Sequence, residues 1–186
     1  MLSRVDFSAG VLAVFTLSTC AAFGAQQQNA PSEAIAVIQP ASGSNCHGTV
    51  RFTQVGNAVK VIADIEGLTP GAKHGFHIHE YGDCSAVDAT SAGSHYDADQ
   101  TKHHGHPEDK EKHSGDMGNL DADSSGKAHY EGSMEGISIA GPHAPIVGRA
   151  VIIHARPDDF SQPVGNAGGR IGCGVIGLAK PATQTK

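Results

Sequence analysis

The chain has no tryptophan and only three tyrosines, and 19 acidic residues outnumber its 13 lysines and arginines, for a net charge of −6. An acidic chain with so few stacking side chains is not expected to bind nucleic acid. Global charge says little about any one site, because a local field can oppose it. No long helical apolar period runs through the sequence, no internal repeat is visible, and no run after residue 25 could span a bilayer. These absences exclude a helical bundle, a repeat array and a stable membrane span.

The main apolar run, VLAVFTLSTCAAF, follows Arg4 and leads into the small residues of AFGA. Residues 1–25 therefore read as a secretory signal peptide, cleaved after Gly24 or Ala25, and the protein is expected to be exported to a periplasm or the extracellular space. Cys20 offers a lipoprotein anchor as the alternative, although Thr19 suits that signal poorly. A polar N-terminal tail, 26–33, should precede one domain, 34–180, and a C-terminal tail, 181–186. About 160 residues are enough for a single core.

Cysteine is also scarce. Beyond the leader only Cys46, Cys84 and Cys173 remain. Export permits a disulfide, and an odd count leaves at least one thiol free or paired between chains.

What the sequence does contain is strand signals. Short β-branched segments cover 34–39 and 48–54, and Gly56-Asn57 then marks a hairpin. Val59, Val61, Ala63 and Ile65 alternate with mostly polar residues, as on a half-buried strand. GLTPG turns the chain into a strand over 75–81. From Gly82 to Asn119 the pattern stops, and a segment this long without structure is usually functional. Strands resume at 120–123, 128–133, 137–139, 147–154 and 173–178, with a second loop over 156–169. The expected fold is all-β: an eight-stranded antiparallel Greek-key barrel or sandwich with two long functional loops.

The stretch 75–84, which begins with the strand expected over 75–81, reads GFHIHEYGDC. Side chains two apart share one face, so His77 and His79 should leave the barrel wall together while Phe76 and Ile78 enter the core. The irregular segment adds His95, His103, His104, His106, His113 and Asp116, and VIIHA adds His154. Imidazole suits copper and zinc, and a mixed imidazole and carboxylate set suits zinc. By composition alone the 103–113 cluster could equally be a metal-scavenging tract or a polar loop.

Several motifs in order resemble those of exported, bacterial-type copper,zinc superoxide dismutases: GFHIHEYGDC, SAGSHYDAD, KHHGHPEDKEKHSGDMGNL and GNAGGRIGCGVIG. The resemblance spans about 34–180. It implies disproportionation of superoxide to oxygen and hydrogen peroxide by redox cycling at one copper per subunit, bridged through a histidine to one zinc. His77, His79, His95 and His154 would hold copper, and His95, His104, His113 and Asp116 would hold zinc. His104 is chosen over His103 because it lies three residues before Pro107.

The resemblance also gives His95 and Arg170 catalytic roles, the former exchanging a proton and the latter guiding the anionic substrate. Asp158 would hydrogen-bond ligands of both metals, and Cys84 and Cys173 would form an intrachain disulfide. Cys46 has no implied role beyond that of a buried thiol. Cys84 follows the histidine pair sooner than in eukaryotic members, and the loop from His154 to Arg170 is shorter. A homodimer is compatible with the family, but its contacts do not carry over. The alternative reading is a non-catalytic periplasmic copper/zinc-binding protein, which would need neither Arg170 nor a shared imidazole.

Overall fold

The computed structural model describes residues 31–180, so the expected leader, Cys20, the first part of the N-terminal tail and the whole C-terminal tail lie outside the described residues. Eight strands form one antiparallel sheet in the order β5-β4-β7-β8-β1-β2-β3-β6. They are β1 (Glu33–Pro40), β2 (His47–Val55), β3 (Ala58–Glu66), β4 (Lys73–His79), β5 (Asp116–Asp121), β6 (Ala128–Glu135), β7 (Ala150–His154) and β8 (Arg170–Leu178). The two end strands, β5 and β6, meet where the Tyr130 hydroxyl donates to the Met117 carbonyl at 3.3 Å. The result is a nearly closed barrel, and the jumps from β3 to β4 and from β6 to β7 make it a Greek key.

Alternation explains the first wall. Ala34, Ala36 and Ile38 of β1, Val50 and Phe52 of β2, and Val59, Val61, Ala63 and Ile65 of β3 all point inward. Most of their neighbours on β2 and β3 carry charge or polarity outward, the pattern of a sheet with one wet face, while Ile35, Val37 and Ile62 are apolar exceptions. The β2–β3 hairpin turns on Gly56-Asn57, as expected, with Gly56 at φ 59°.

β4, β5 and β7 behave differently. β7 is buried at every position, and so is β4 after Lys73. Phe76 and Ile78 fill the core from β4, and the opposite face is buried beneath the long loops. The ladder slips between Gly75 and His77 and again between Ile153 and His154. Such irregularities re-aim side chains and gather next to active sites.

The structure corrects several expected boundaries. The segment 137–139 is not a strand; it makes one isolated bridge, Ser138 to Pro145. Its alternating Ile137 and Ile139 are nevertheless buried, so core packing rather than a ladder explains the pattern. β4 stops at His79, and β5 begins at Asp116, so the irregular stretch is 80–115 rather than 82–119. β7 starts at Ala150 rather than 147. β8 starts at Arg170, so Cys173 lies inside the strand rather than opening it. At the N-terminus β1 takes in Glu33, one residue earlier than expected.

Candidate metal centre

The buried face of β4 presents His77 and His79, and β7 ends on His154 beside them. The loop after β4 folds back so that His95 bridges to His79. The same loop carries His104 and His113 before β5 opens on Asp116. All seven side chains are buried, whereas His103 and His106 are exposed. Potential ligand atoms of His77, His79, His95 and His154 lie within 4.8 Å of one another, and so do those of His77, His95, His104 and Asp116. His77 and His95 belong to both sets. The His95 ring centroid is 5.1 Å from that of His79 on one side and 5.0 Å from that of His104 on the other. His113 stands just outside the second close set, its ring 5.4 Å from His95 and its Nδ1 3.4 Å from Asp116 Oδ2.

Hydrogen bonds orient the rings of His77, His79, His95, His104 and His154. Asp116 Oδ1 meets His95 Nδ1 at 2.9 Å, and Oδ2 meets His104 Nδ1 at 2.9 Å. The same Oδ2 accepts the backbone N–H groups of Gly105 and His113. Asp158 Oδ2 lies 2.9 Å from His77 Nε2 and 2.8 Å from His104 Nε2, so one carboxylate links the two histidine sets. Asn119 fixes Asp158 by donating to its carbonyl and accepting its N–H. His79 Nδ1–H donates to the Gly93 carbonyl, and His154 Nδ1–H to that of Gly168.

These bonds leave particular nitrogens without work. Among the described residues, five buried side-chain polar atoms lack a hydrogen-bond partner, and four of them are His77 Nδ1, His79 Nε2, His154 Nε2 and His113 Nδ1. Buried polar atoms are rarely left unpaired unless water or an ion is expected there. Orphaned lone pairs on converging imidazoles are the donor set for a borderline cation, so these residues fit copper and zinc.

For His79, His95 and His154 the electrostatics point the same way. Burial depresses the His79 pKa far below its ordinary value, with His95 adding to the effect. Burial and the neighbouring histidines bring His154 to about 3. Burial also lowers His95, to about 4, against the pull of Asp116. Neutral rings of this kind offer lone pairs at physiological pH. Burial would raise the carboxyls of Asp116 and Asp158, but hydrogen bonds from the histidines hold both well below the usual carboxylate range. His104 lies between them. Burial opposes its charge, yet the two carboxylates push its pKa up to about 9.

The first set opens to solvent through a cleft of about 180 Å³ lined by His79, Ser94, His95, His154, Gly165 and Arg170, among others. The Arg170 guanidinium donates to the carbonyls of Ala89 and Gly93 at 2.6 Å each. Both carbonyls belong to the loop that Cys84 anchors. Cys84 and Cys173 form a disulfide with a Cα separation of 5.8 Å, packed against Ala41, Ala89, Ala92 and Ile152. The bond therefore ties the loop to the strand that carries Arg170. Cys46 is a free, buried thiol, its pKa pushed up to about 12 by burial.

Every site residue expected from the sequence is thus brought to one region of the barrel wall. Asn119, Phe160, Gln162 and Gly165 were not singled out. Asn119 lies within the GDMGNL stretch and could have been marked there. Gln162 looks like any polar loop residue.

Comparison with known proteins places this geometry in a family. The family model for copper/zinc superoxide dismutase (SODC) matches residues 46–176. A Cu-Zn superoxide dismutase of Paramecium bursaria Chlorella virus 1 is 45% identical over 157 residues, covering 81% of this chain and 80% of that protein. An extracellular Cu-Zn superoxide dismutase of Brugia pahangi is 40% identical over 156 residues, covering 78% and 76%. Among solved structures, the crystal structure of the clock protein EA4 superposes with a TM-score of 0.73 at 41% identity, covering 82% of this chain and 98% of that one. The chain belongs to the copper/zinc superoxide dismutase family.

Proposed function

We infer that this chain disproportionates superoxide to oxygen and hydrogen peroxide, with copper held by His77, His79, His95 and His154 and zinc by His95, His104, His113 and Asp116. The observation that carries the reading is a pair of buried ligand sets that share His95 and His77, with orphaned nitrogens around them; His77 commits Nε2 to Asp158, which leaves His95 as the ring able to serve both metals. When bound, copper supplies the one-electron couple that the reaction needs, and zinc supplies a fixed charge that orders the loop.

The chain's own residues do the rest. Arg170 is anchored by two loop carbonyls at the cleft and presents a permanent cation to a small anion. His95 commits Nδ1 to the Asp116 side and keeps Nε2 for the other set, where it can hold and return a proton. Asp158 keeps the His77 and His104 rings in register by accepting an Nε2–H hydrogen bond from each. The covering loops exclude bulk water from everything but the cleft.

Export to a periplasm or the extracellular space, after loss of residues 1–25, is supported by the disulfide, which an oxidising compartment maintains. No helix among the described residues is long and apolar enough to cross a membrane. The domain is taken as 34–180 between tails 26–33 and 181–186. Membership of the bacterial subgroup rests on the early Cys84 and the short 155–169 loop. Pairing with a second copy is supported by exposed Val37, Val175 and Leu178 on the adjacent strands β1 and β8.

The test is metal analysis of the purified protein alongside a dismutation assay. Arg170→Ala should lower kcat/KM and flatten its decline with rising salt, because steering by an exposed charge is screened. Metal content should not change. Equal activity in parent and variant would remove Arg170 from the catalytic account, and metal uptake without dismutation in the parent would favour a metal-binding module over an enzyme.

A further inference from the structure

Gln162 sits in the 155–169 loop, exposed, yet its carboxamide makes an unusual pairing. The His104 backbone N–H donates to Gln162 Oε1 at 3.0 Å, and Gln162 Nε2–H donates to the His104 carbonyl at 2.7 Å. One neutral side chain thus takes both backbone groups of one residue, as a neighbouring strand would. The backbone of His104 is thereby fixed in position and in rotation.

The ring on that backbone is the junction of the site. His104 Nδ1 faces Asp116 and Nε2 faces Asp158, at 2.8–3.0 Å. Residues 102–107 form no strand or helix of their own, so a partner from outside the segment must set the ring's height. Phe160, two residues before Gln162, adds a second contact across the same gap. Its ring stacks on His106 at 3.5 Å and lies 6.1 Å from the ring of His104.

We propose that Gln162 is a positioning residue for the zinc set: its two-point pairing with the His104 backbone sets the His104 ring between Asp116 and Asp158. The inference rests on the metal-binding reading above. Ligand geometry must hold within about 0.5 Å for such a site to keep its affinity. Supporting partners of metal ligands typically contribute about 10–100-fold in metal affinity.

The experiment loads the full chain with cobalt(II) alone at the zinc position, then compares the parent with Gln162→Ala and Gln162→Glu. The Gln162→Glu substitution keeps the shape and the acceptor for the His104 N–H but turns an oxygen toward the His104 carbonyl, so it controls for lost volume. Both variants are expected to shift the cobalt ligand-field spectrum and to release cobalt to a chelator about 10–100-fold faster. Spectra and release rates that match the parent would overturn the proposal. So would a lower melting temperature of the metal-free variants with unchanged spectra, since that is a purely structural role. If the parent takes up no more cobalt than His113→Ala, the metal-site reading itself fails and the inference falls with it.

Discussion

The two walls of this barrel are built from the same kind of strand and end up in opposite environments. On β1-β2-β3-β6 the polar face is wet and carries surface pairs such as Lys60–Glu131 at 3.1 Å and Lys127–Glu66 at 2.9 Å. On β5-β4-β7 the outward face is covered except at one end, where Lys73 pairs with Asp121 in solvent, and its histidines and Asp116 are buried. Period-two alternation is present in GFHIH and in AVKVIADI alike. Alternation tells which residues share a face; it does not tell what covers that face. Covering an imidazole costs free energy unless something pairs with it. The four orphaned nitrogens therefore mark where the second wall could hold a cation.

Substitutions on either wall put this contrast to the test. The largest effect on stability should come from the link between the loop and β8. The Cys84→Ser, Cys173→Ser double variant should lose roughly 4–5 kcal/mol by chain-entropy reasoning, because the bond closes a long loop. Denaturant unfolding of the metal-free proteins checks this, and a loss below about 1 kcal/mol would mean that the loop is held without the bond. Next comes Gly165→Ala. Gly165 has φ +69°, and a Cβ there would collide with Asp158 Oδ1. It should cost about 2 kcal/mol and loosen metal retention together, since strain and a displaced carboxylate act at one place. Retention equal to the parent's would detach Asp158 from the ligand network.

The wet wall should be far more tolerant. Lys60→Ala should leave the melting temperature within about 2 °C and the activity unchanged, as exposed ion pairs contribute little. The smallest effect is a pH dependence at His129, whose pKa is raised by hydrogen bonds to Asp64 and then Glu131. Its stabilising contribution is fully present below the unfolded value of about 6.5 and is lost as pH rises through the raised folded value. Asp64→Asn should bring the His129 titration, followed by NMR, back toward about 6.5 and remove that part of the slope. An unmoved titration would mean that the pair does not persist in solution.

Much of the first wall was legible because alternation and burial coincide there: Val59, Val61, Ala63 and Ile65 all fall where the pattern puts them. The paired projection of His77 and His79 was legible for the same geometric reason. His104, His113, Asp116 and Asp158 were reached through family resemblance, because loop ligands far apart in the chain leave no periodic trace. The expected strand at 137–139 failed because Ile137 and Ile139 alternate to suit the core, not a ladder. Gln162 was invisible because it acts on the backbone of His104, and a backbone contact imposes no motif on the sequence.

All of this turns on His95 standing between two unlike cations. Anomalous scattering from crystals of the metal-loaded protein, recorded at the copper and zinc edges, decides the matter. A copper peak is expected among His77, His79, His95 and His154 and a zinc peak among His95, His104, His113 and Asp116, one on each side of the His95 ring. A single peak, or two peaks that do not share His95, would refute the shared ring.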